Sequence, residues 1–346
     1  MSRPLISLIT ALFAAALGAP DRSAAQPPAR AVPERIIRAP DRAGVGPASV
    51  ITALGVSPDG GLLATGGDDH VVRLWNLADG RLLRQLTGHT GWIRAIGFHP
   101  LGRMLATAGD DRRVRVWDVL DGRQVKVLPA HEQVIYDLAY SPDGQWLVTC
   151  GFESTVRLYS VQTGQLIKVN RYDGSDVRAV AFSPDGSLLA AGGQGGSLRL
   201  WNVATGDVWA DLLADRRRIR ALAFSPDGSQ LAAGGEGDRV RVWNLALREP
   251  IVLSHRAGFI AALVFCCDGH LAAGDSDNQI HVWDLNSREP VVRCVGHTGT
   301  VSSLAGDPRD GNLVSGSFDT TARIWRLELE PDESLAHRAA AAHAAP

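Results

Sequence analysis

His89, Thr107 and Asp111 bring an imidazole, a hydroxyl and a carboxylate into one stretch of chain. Hydrolases build a base, a nucleophile and an orienting acid from these same groups. The set returns as His297, Ser315 and Asp319, as the variant His131, Thr149 and Glu153, and in part as His255 and Asp277, where Ala273 replaces the hydroxyl. A catalytic triad has no reason to be built four times in one chain, so these groups read as structural and the chain as non-enzymatic. Metal and redox chemistry find little support. The four cysteines, Cys150, Cys266, Cys267 and Cys294, form neither a CxxC zinc pair nor a CxxCH haem site, and no cofactor is expected.

What positions these groups is a repeat. Trp75, Trp117, Tyr159, Trp201, Trp243, Trp283 and Trp325 follow one another at 42, 42, 42, 42, 40 and 42 residues. Each ends a short run such as Val72-Arg73-Leu74-Trp75 or Val240-Arg241-Val242-Trp243. Units of this size bury too little apolar surface to stand alone, so each must lean on its neighbours. Residues 89–128 show the plan of one unit. Extended runs at Ile93–Phe98, Leu105–Thr107, Val114–Trp117 and Gln124–Leu128 are separated by His99-Pro100-Leu101-Gly102, Asp110-Asp111 and Asp121-Gly122. Short runs divided by Gly, Pro and Asp turns predict a four-stranded antiparallel meander, and no helical period persists beyond one turn. Seven such meanders arranged radially make an all-β, seven-bladed β-propeller, which leaves only short, protected sheet edges.

The middle turn recurs as Ser-Pro-Asp-Gly at 57–60, 141–144, 183–186 and 225–228. Repeats open on Gly88-His89 and Gly296-His297 and close on Trp117-Asp118, Trp283-Asp284, Trp75-Asn76 and Trp243-Asn244. With these motifs the chain resembles the WD-repeat (G-beta-type) propeller family, in the form of a bacterial exported member. The resemblance covers about residues 34–327.

That resemblance implies a buried hydrogen-bond network in each blade, with the acid six residues before the tryptophan, the hydroxyl ten before and the histidine 28 before. His89, Thr107, Asp111 and Trp117 complete it in the second repeat, and His297, Ser315, Asp319 and Trp325 in the seventh. His131, Thr149, Glu153 and Tyr159 form a variant in the third, while the sixth keeps His255, Asp277 and Trp283. The fourth and fifth repeats lose both partners together, with Asp173 and Asp215 at the histidine position and Gly195 and Gly237 at the acid position. Joint loss fits a structural pair, since a buried carboxylate left unpaired costs its desolvation. In the first repeat Asp69 lacks a histidine because Pro47 stands there.

The resemblance also implies ring closure and a docking face. The seventh repeat stops at Trp325-Arg326-Leu327, before an outer strand, and Arg35-Ile36-Ile37-Arg38 imitates the outer strand Arg81-Leu82-Leu83-Arg84. Residues 34–39 are therefore expected to complete the last blade. Two positions per blade should be exposed on the top face. One column is Val50, Trp92, Val134, Asp176, Arg218, Phe259 and Thr300. The other is Asp68, Asp110, Phe152, Gln194, Glu236, Ser276 and Phe318. Trp92, Phe152, Phe259 and Phe318 are large apolar groups at turn positions, and aromatic residues and arginine dominate binding energy in interfaces. Arg216-Arg217-Arg218 belongs near Asp173, Asp176, Asp215 and Glu236, either as a clamp for a carboxylate or phosphate or as solvated ion pairs, the reading preferred here.

Bulk properties narrow the partners. The chain has 346 residues, 35 basic against 37 acidic, for a net charge of −2. No field of one sign is available to attract nucleic acid. Arg3, an apolar run from Leu5 to Leu17, and small residues to Ala25 predict a secretory signal peptide over 1–25. The run is shorter than the ~20 residues of a membrane span. The expected organisation is a signal peptide (1–25), a leader (26–33), the propeller (34–327) and a disordered Ala-rich tail (328–346). The expected function is a monomeric, exported (periplasmic or secreted) scaffold that docks a protein partner. The alternative is an exported lactonase-like propeller hydrolase with an axial metal or small-ligand site. A cell-envelope propeller of the Tol type shares the Ser-Pro-Asp-Gly turns, but the repeated Gly-His and Trp-Asp pairs count against it.

Overall fold

The computed structural model describes residues 28–40, 48–214, 216–237, 239–255, 258–266 and 269–327. Residues 1–25, expected as a signal peptide, the Ala-rich tail, Pro47, Asp215 and Cys267 lie outside the described residues. Seven antiparallel meanders stand round an axis as a seven-bladed propeller. The innermost strand of each blade packs on that of the next, and Val301–Gly306 of blade seven packs on Ile51–Val56 of blade one, which closes the circle. Among the described residues the one helical element is a 3-10 turn at Gln194–Gly196.

Blade two shows how sequence becomes blade. Its strands are Ile93–Phe98, Met104–Gly109, Val114–Asp118 and Gln124–Val127, running from the axis outward. From Leu105 to Gly109 the second strand is buried at every position. Its Ala, Thr and Gly side chains fit because the flanking blades press on both faces. Gly109 is obligatory in this geometry, since a Cβ there would stand 1.8 Å from the Trp92 carbonyl oxygen. The middle turn is held by its own side chains. Ser57 Oγ donates to Asp59 Oδ1 (2.5 Å) and accepts the Leu62 N–H (2.9 Å), while Gly60 takes a φ of +65° that disfavours other residues. The same bonds recur at Ser141, Ser183 and Ser225.

The core lies between blades as much as within them. Trp117 packs with Leu105 and Ile93 of its own blade and with Val72 and Leu74 of blade one. Trp201 packs with Val148 and Cys150 of blade three, and Trp75 with Val314 and Ile324 of blade seven. Burying an indole removes about 200 Å² from water, an upper bound of about 5 kcal/mol per blade.

Closure comes from the N-terminal segment. Pro33–Arg38 pairs antiparallel with Thr321–Trp325, placing Ile36 opposite Arg323 and Ile37 opposite Ala322. Ile37 enters the apolar joint between blades seven and one beside Ile51, Trp75 and Ile324. The expected leader needs correcting. Ala29–Ala31 is a strand in its own right, parallel to Pro290–Val295, and makes blade six five-stranded. The N-terminal segment thus engages two blades.

Candidate docking face and the relays beneath it

In blade two, Trp117 Nε1 donates to Thr107 Oγ1 (2.8 Å), Thr107 Oγ1 lies 2.8 Å from His89 Nε2, and His89 Nδ1 lies 2.8 Å from Asp111 Oδ2. Blade seven repeats this chain through Trp325, Ser315, His297 and Asp319 at 2.8, 2.7 and 2.8 Å. The tautomer follows from satisfying each group: indole N–H to hydroxyl, hydroxyl to Nε2, and Nδ1–H to carboxylate. In blade three His131 stands 2.9 Å from Thr149 and 3.2 Å from Glu153, with the Tyr159 hydroxyl 3.3 Å from Nε2. Burial and the Arg157 cation push His131 down to about 4, against the pull of Glu153. Burial likewise lowers His297. Burial is the largest single influence on Asp111 and Asp319 and opposes their ionisation, but the hydrogen bonds and charge of His89 and His297, together with backbone N–H donors, outweigh it and hold both carboxyls below the usual range. Thr107, Thr149 and Ser315 have no exposed surface. A hydroxyl that is sealed off and committed on both sides is a strut, not a nucleophile.

The other blades differ in instructive ways. Blade one keeps the Trp75 to Thr65 bond (2.8 Å), and Arg73 takes the acid Asp69 at 2.6 Å. In blade four Asp173 is bound by Arg199 (2.6 Å), which also grips Asp211 at 2.6 and 2.9 Å. In blade six the acid facing His255 is Asp275, with Oδ2 3.6 Å from Nε2, rather than the expected Asp277. Asp277 instead donates its backbone N–H to Asp275 Oδ1 at 2.9 Å. The offset rule fails there because a carboxylate occupies the position that is glycine in five blades, as at Gly109.

On the face above these relays, Phe152 and Phe318 are 50% and 41% exposed, while Trp92 and Phe259 are half-buried. Asp176 departs from the expected exposure. It is 1% exposed, held by Arg178 (2.7 Å) and Arg218 (2.9 Å). Arg218 also meets Glu236 (2.8 Å), as does Arg220 (2.8 Å). The preferred picture of solvated ion pairs is therefore corrected to a partly buried network at the top of blades four and five.

Sequence reasoning missed the residues at the centre of this face. Arg94, Tyr136, Arg178 and Arg220 are each the second residue of an innermost strand, and they converge with Thr52 and Ser302 on the axis. They surround a depression of about 180 Å³, with Phe259 and Phe318 also in its wall. Each guanidinium lies over a ring: Arg94 on Trp92 (4.7 Å), Arg178 on Tyr136 (3.6 Å) and Arg220 on Phe259 (4.4 Å). Arg94 is further fixed by a two-point bond to Asp110 at 2.8 and 3.0 Å. Four arginines (94, 178, 218 and 220) thus share three carboxylates (110, 176 and 236), and the mouth is cationic and edged with aromatic surface. The signal was available as a column two residues after the Trp92 column.

Comparison with known proteins agrees with this architecture. The family model described as IFT122 first beta-propeller matches residues 50–289. The chain belongs to this family of WD-repeat propellers. The model for the WD domain, G-beta repeat, matches residues 288–326, so the two together span all seven tryptophan-type positions. Among curated proteins the chain is similar to the periodic tryptophan protein 2 homolog of Neurospora crassa, with 63% identity over 35 residues. That match covers 10% of this chain and 4% of the relative. Propellers of the WD-repeat type are typically protein-interaction scaffolds, and the sealed relays are consistent with a non-catalytic frame. Among the described residues no helix is long and apolar enough to cross a membrane.

Proposed function

We propose that this WD-repeat propeller docks a protein partner on its top face, and that the partner inserts an acidic side chain into the axial mouth. The observation that carries this reading is the trio of ring-stacked guanidiniums at Arg94, Arg178 and Arg220 beside the exposed Phe318. Fixed arginine forks match a carboxylate, and stacking against rings lowers the ordering cost of using them. The half-buried Trp92 and Phe259 supply apolar edge, which suits a segment where an acid is flanked by a hydrophobic residue. Export is part of the proposal. It rests on the charged start, apolar run and small-residue exit of residues 1–25. A partner met outside the cytoplasm follows from that.

Affinity capture with the full chain tests this, comparing wild type with Arg220→Ala and Phe318→Ala after matched thermal melts. A partner retained by wild type, released by a glutamate-rich peptide, and lost from both equally stable variants is the expected result. Capture that survives both substitutions would show that the face is not the docking surface. Cleavage is tested separately by N-terminal sequencing of the expressed chain, where a start at Gln26 is expected.

A further inference from the structure

Blade six departs from the others at two positions that meet in space. Asp275 replaces the glycine of five blades and His281 replaces an arginine, while Ala273 stands, like Ala191 and Ala233 of blades four and five, where the remaining blades carry a hydroxyl residue. That arginine, two residues before the tryptophan-type position, is Arg73, Arg115, Arg157, Arg199, Arg241 and Arg323 in the other six blades. Removing the hydroxyl, adding a carboxylate and exchanging a permanent cation for an imidazole converts a relay into a His–Asp–His cluster.

The geometry points to a binding site for a divalent transition-metal ion of the zinc class at His255, Asp275 and His281. Asp275 Oδ2 lies 3.1 Å from His281 Nε2 and 3.6 Å from His255 Nε2, and the three ligand atoms fall within 4.8 Å of one another. Ligands at zinc bond lengths in tetrahedral array stand about 3.3 Å apart. The carboxylate is prepared for one-oxygen ligation. Its Oδ1 accepts the backbone N–H groups of Asp277 and Gln279, both at 2.9 Å, which leaves Oδ2 aimed at the imidazoles. The rings are fixed too, with His281 stacked on Trp283 (5.7 Å between centroids, 28°) and edge-on to His255 (5.0 Å, 82°).

Charge supports the assignment. The Asp275 side chain has no exposed surface, and the arginine that pairs the acid in blades one, three and seven is absent from this position. Arg293 faces His281 across the strand pair, but among the described residues it makes no ion pair with Asp275. A bound dication would neutralise the carboxylate where the guanidinium no longer does. Two imidazoles and one carboxylate select zinc over calcium or magnesium, which take oxygen sets. The His281 side chain keeps 14% exposure, a route for entry and for a fourth, solvent ligand.

Zn²⁺ itself is the probe, added to tag-free full-length protein stripped with chelator and measured against a chromophoric zinc indicator. One equivalent should bind. Affinity should fall about a hundredfold or more in His281→Arg, which restores the residue used by the other blades, and in Asp275→Asn, since even outer partners of a metal site contribute tenfold to a hundredfold. Cobalt substitution of the wild type should give the visible absorption of a tetrahedral site, a readout that needs no variant. Absence of micromolar zinc binding by the wild type, a cobalt spectrum of the hexaaqua type, or equal binding by a folded His281→Arg protein would each overturn the assignment.

Discussion

The relay in blade two can be tested at its hub. Thr107→Val keeps the shape of the side chain and removes the hydroxyl, which leaves the Trp117 indole N–H and His89 Nε2 facing a methyl group where each now has a 2.8 Å partner. Thr107 has no exposed surface, so water cannot take over. Each buried polar group left unmade costs about 1–3 kcal/mol, which gives about 2–6 kcal/mol for the pair. Thr107→Ser keeps the hydroxyl and loses one buried methyl, worth about 1 kcal/mol. Urea unfolding followed by tryptophan fluorescence, with amide exchange of the loops at His89 and Asp111, reads both variants. The valine protein should be less stable than the serine protein by about 1–5 kcal/mol, and its loop amides should exchange faster. A valine variant as stable as the serine variant would refute the reasoning, because shape rather than hydrogen bonding would then hold the blade.

Two further outcomes follow from burial. Desolvation pushes Asp137 up to about 7, against backbone hydrogen bonds from Val180 and Leu138 at 2.9 and 2.8 Å. A raised carboxyl contributes stability that is fully present below the ordinary value near 3.8 and is lost as pH rises through 7. Asp137→Asn gives up one of the two backbone hydrogen bonds that the carboxyl accepts, so it should stabilise the protein at pH 8 by less than about 4 kcal/mol and flatten the melting profile between pH 4 and 8. Closure is tested with neighbours that differ in burial: Ile37 is 4% exposed and Ile36 41%. Ile37→Ala should cost about 2–5 kcal/mol in calorimetry and Ile36→Ala less than about 0.5 kcal/mol.

Much of the fold was legible because one bulky residue per repeat must reach the joint between blades, and so its spacing records the architecture. Closure was legible for a related reason: the last repeat lacks a strand that Arg35–Arg38 resembles. Ala29–Ala31 was not, because three residues with two alanines carry no pattern and their pairing depends on the open edge of Pro290–Val295. The acid of blade six was misplaced because fixed offsets assume that every blade fills the same position. The better signal was the glycine column, which breaks at Asp275. Asp176 was expected on the surface from its place in the Trp92 column, yet two arginines close over it. The axial arginines were not legible within any one repeat because Arg94, Arg178 and Arg220 each stand alone in a separate inner strand, and only the ring gathers them at one mouth.

The joining of Pro33–Arg38 to Thr321–Trp325 sets the order in which the molecule can be finished. A chain made from its N-terminus has the clasp in hand first and the catch last. Six blades can form while the ring stands open, but nothing locks until Trp325 has emerged. Bringing the two ends together carries a loop entropy of about 5 kcal/mol, and long-range contacts of this kind are slow to form. During that interval the free edge of Thr321–Trp325 and the unpaired Pro33–Arg38 are each able to find the matching element of another copy, which would exchange strands between two rings. Truncation before Thr321 therefore removes the catch and leaves six blades without this lock, and dilution during refolding favours the single ring over the swapped pair.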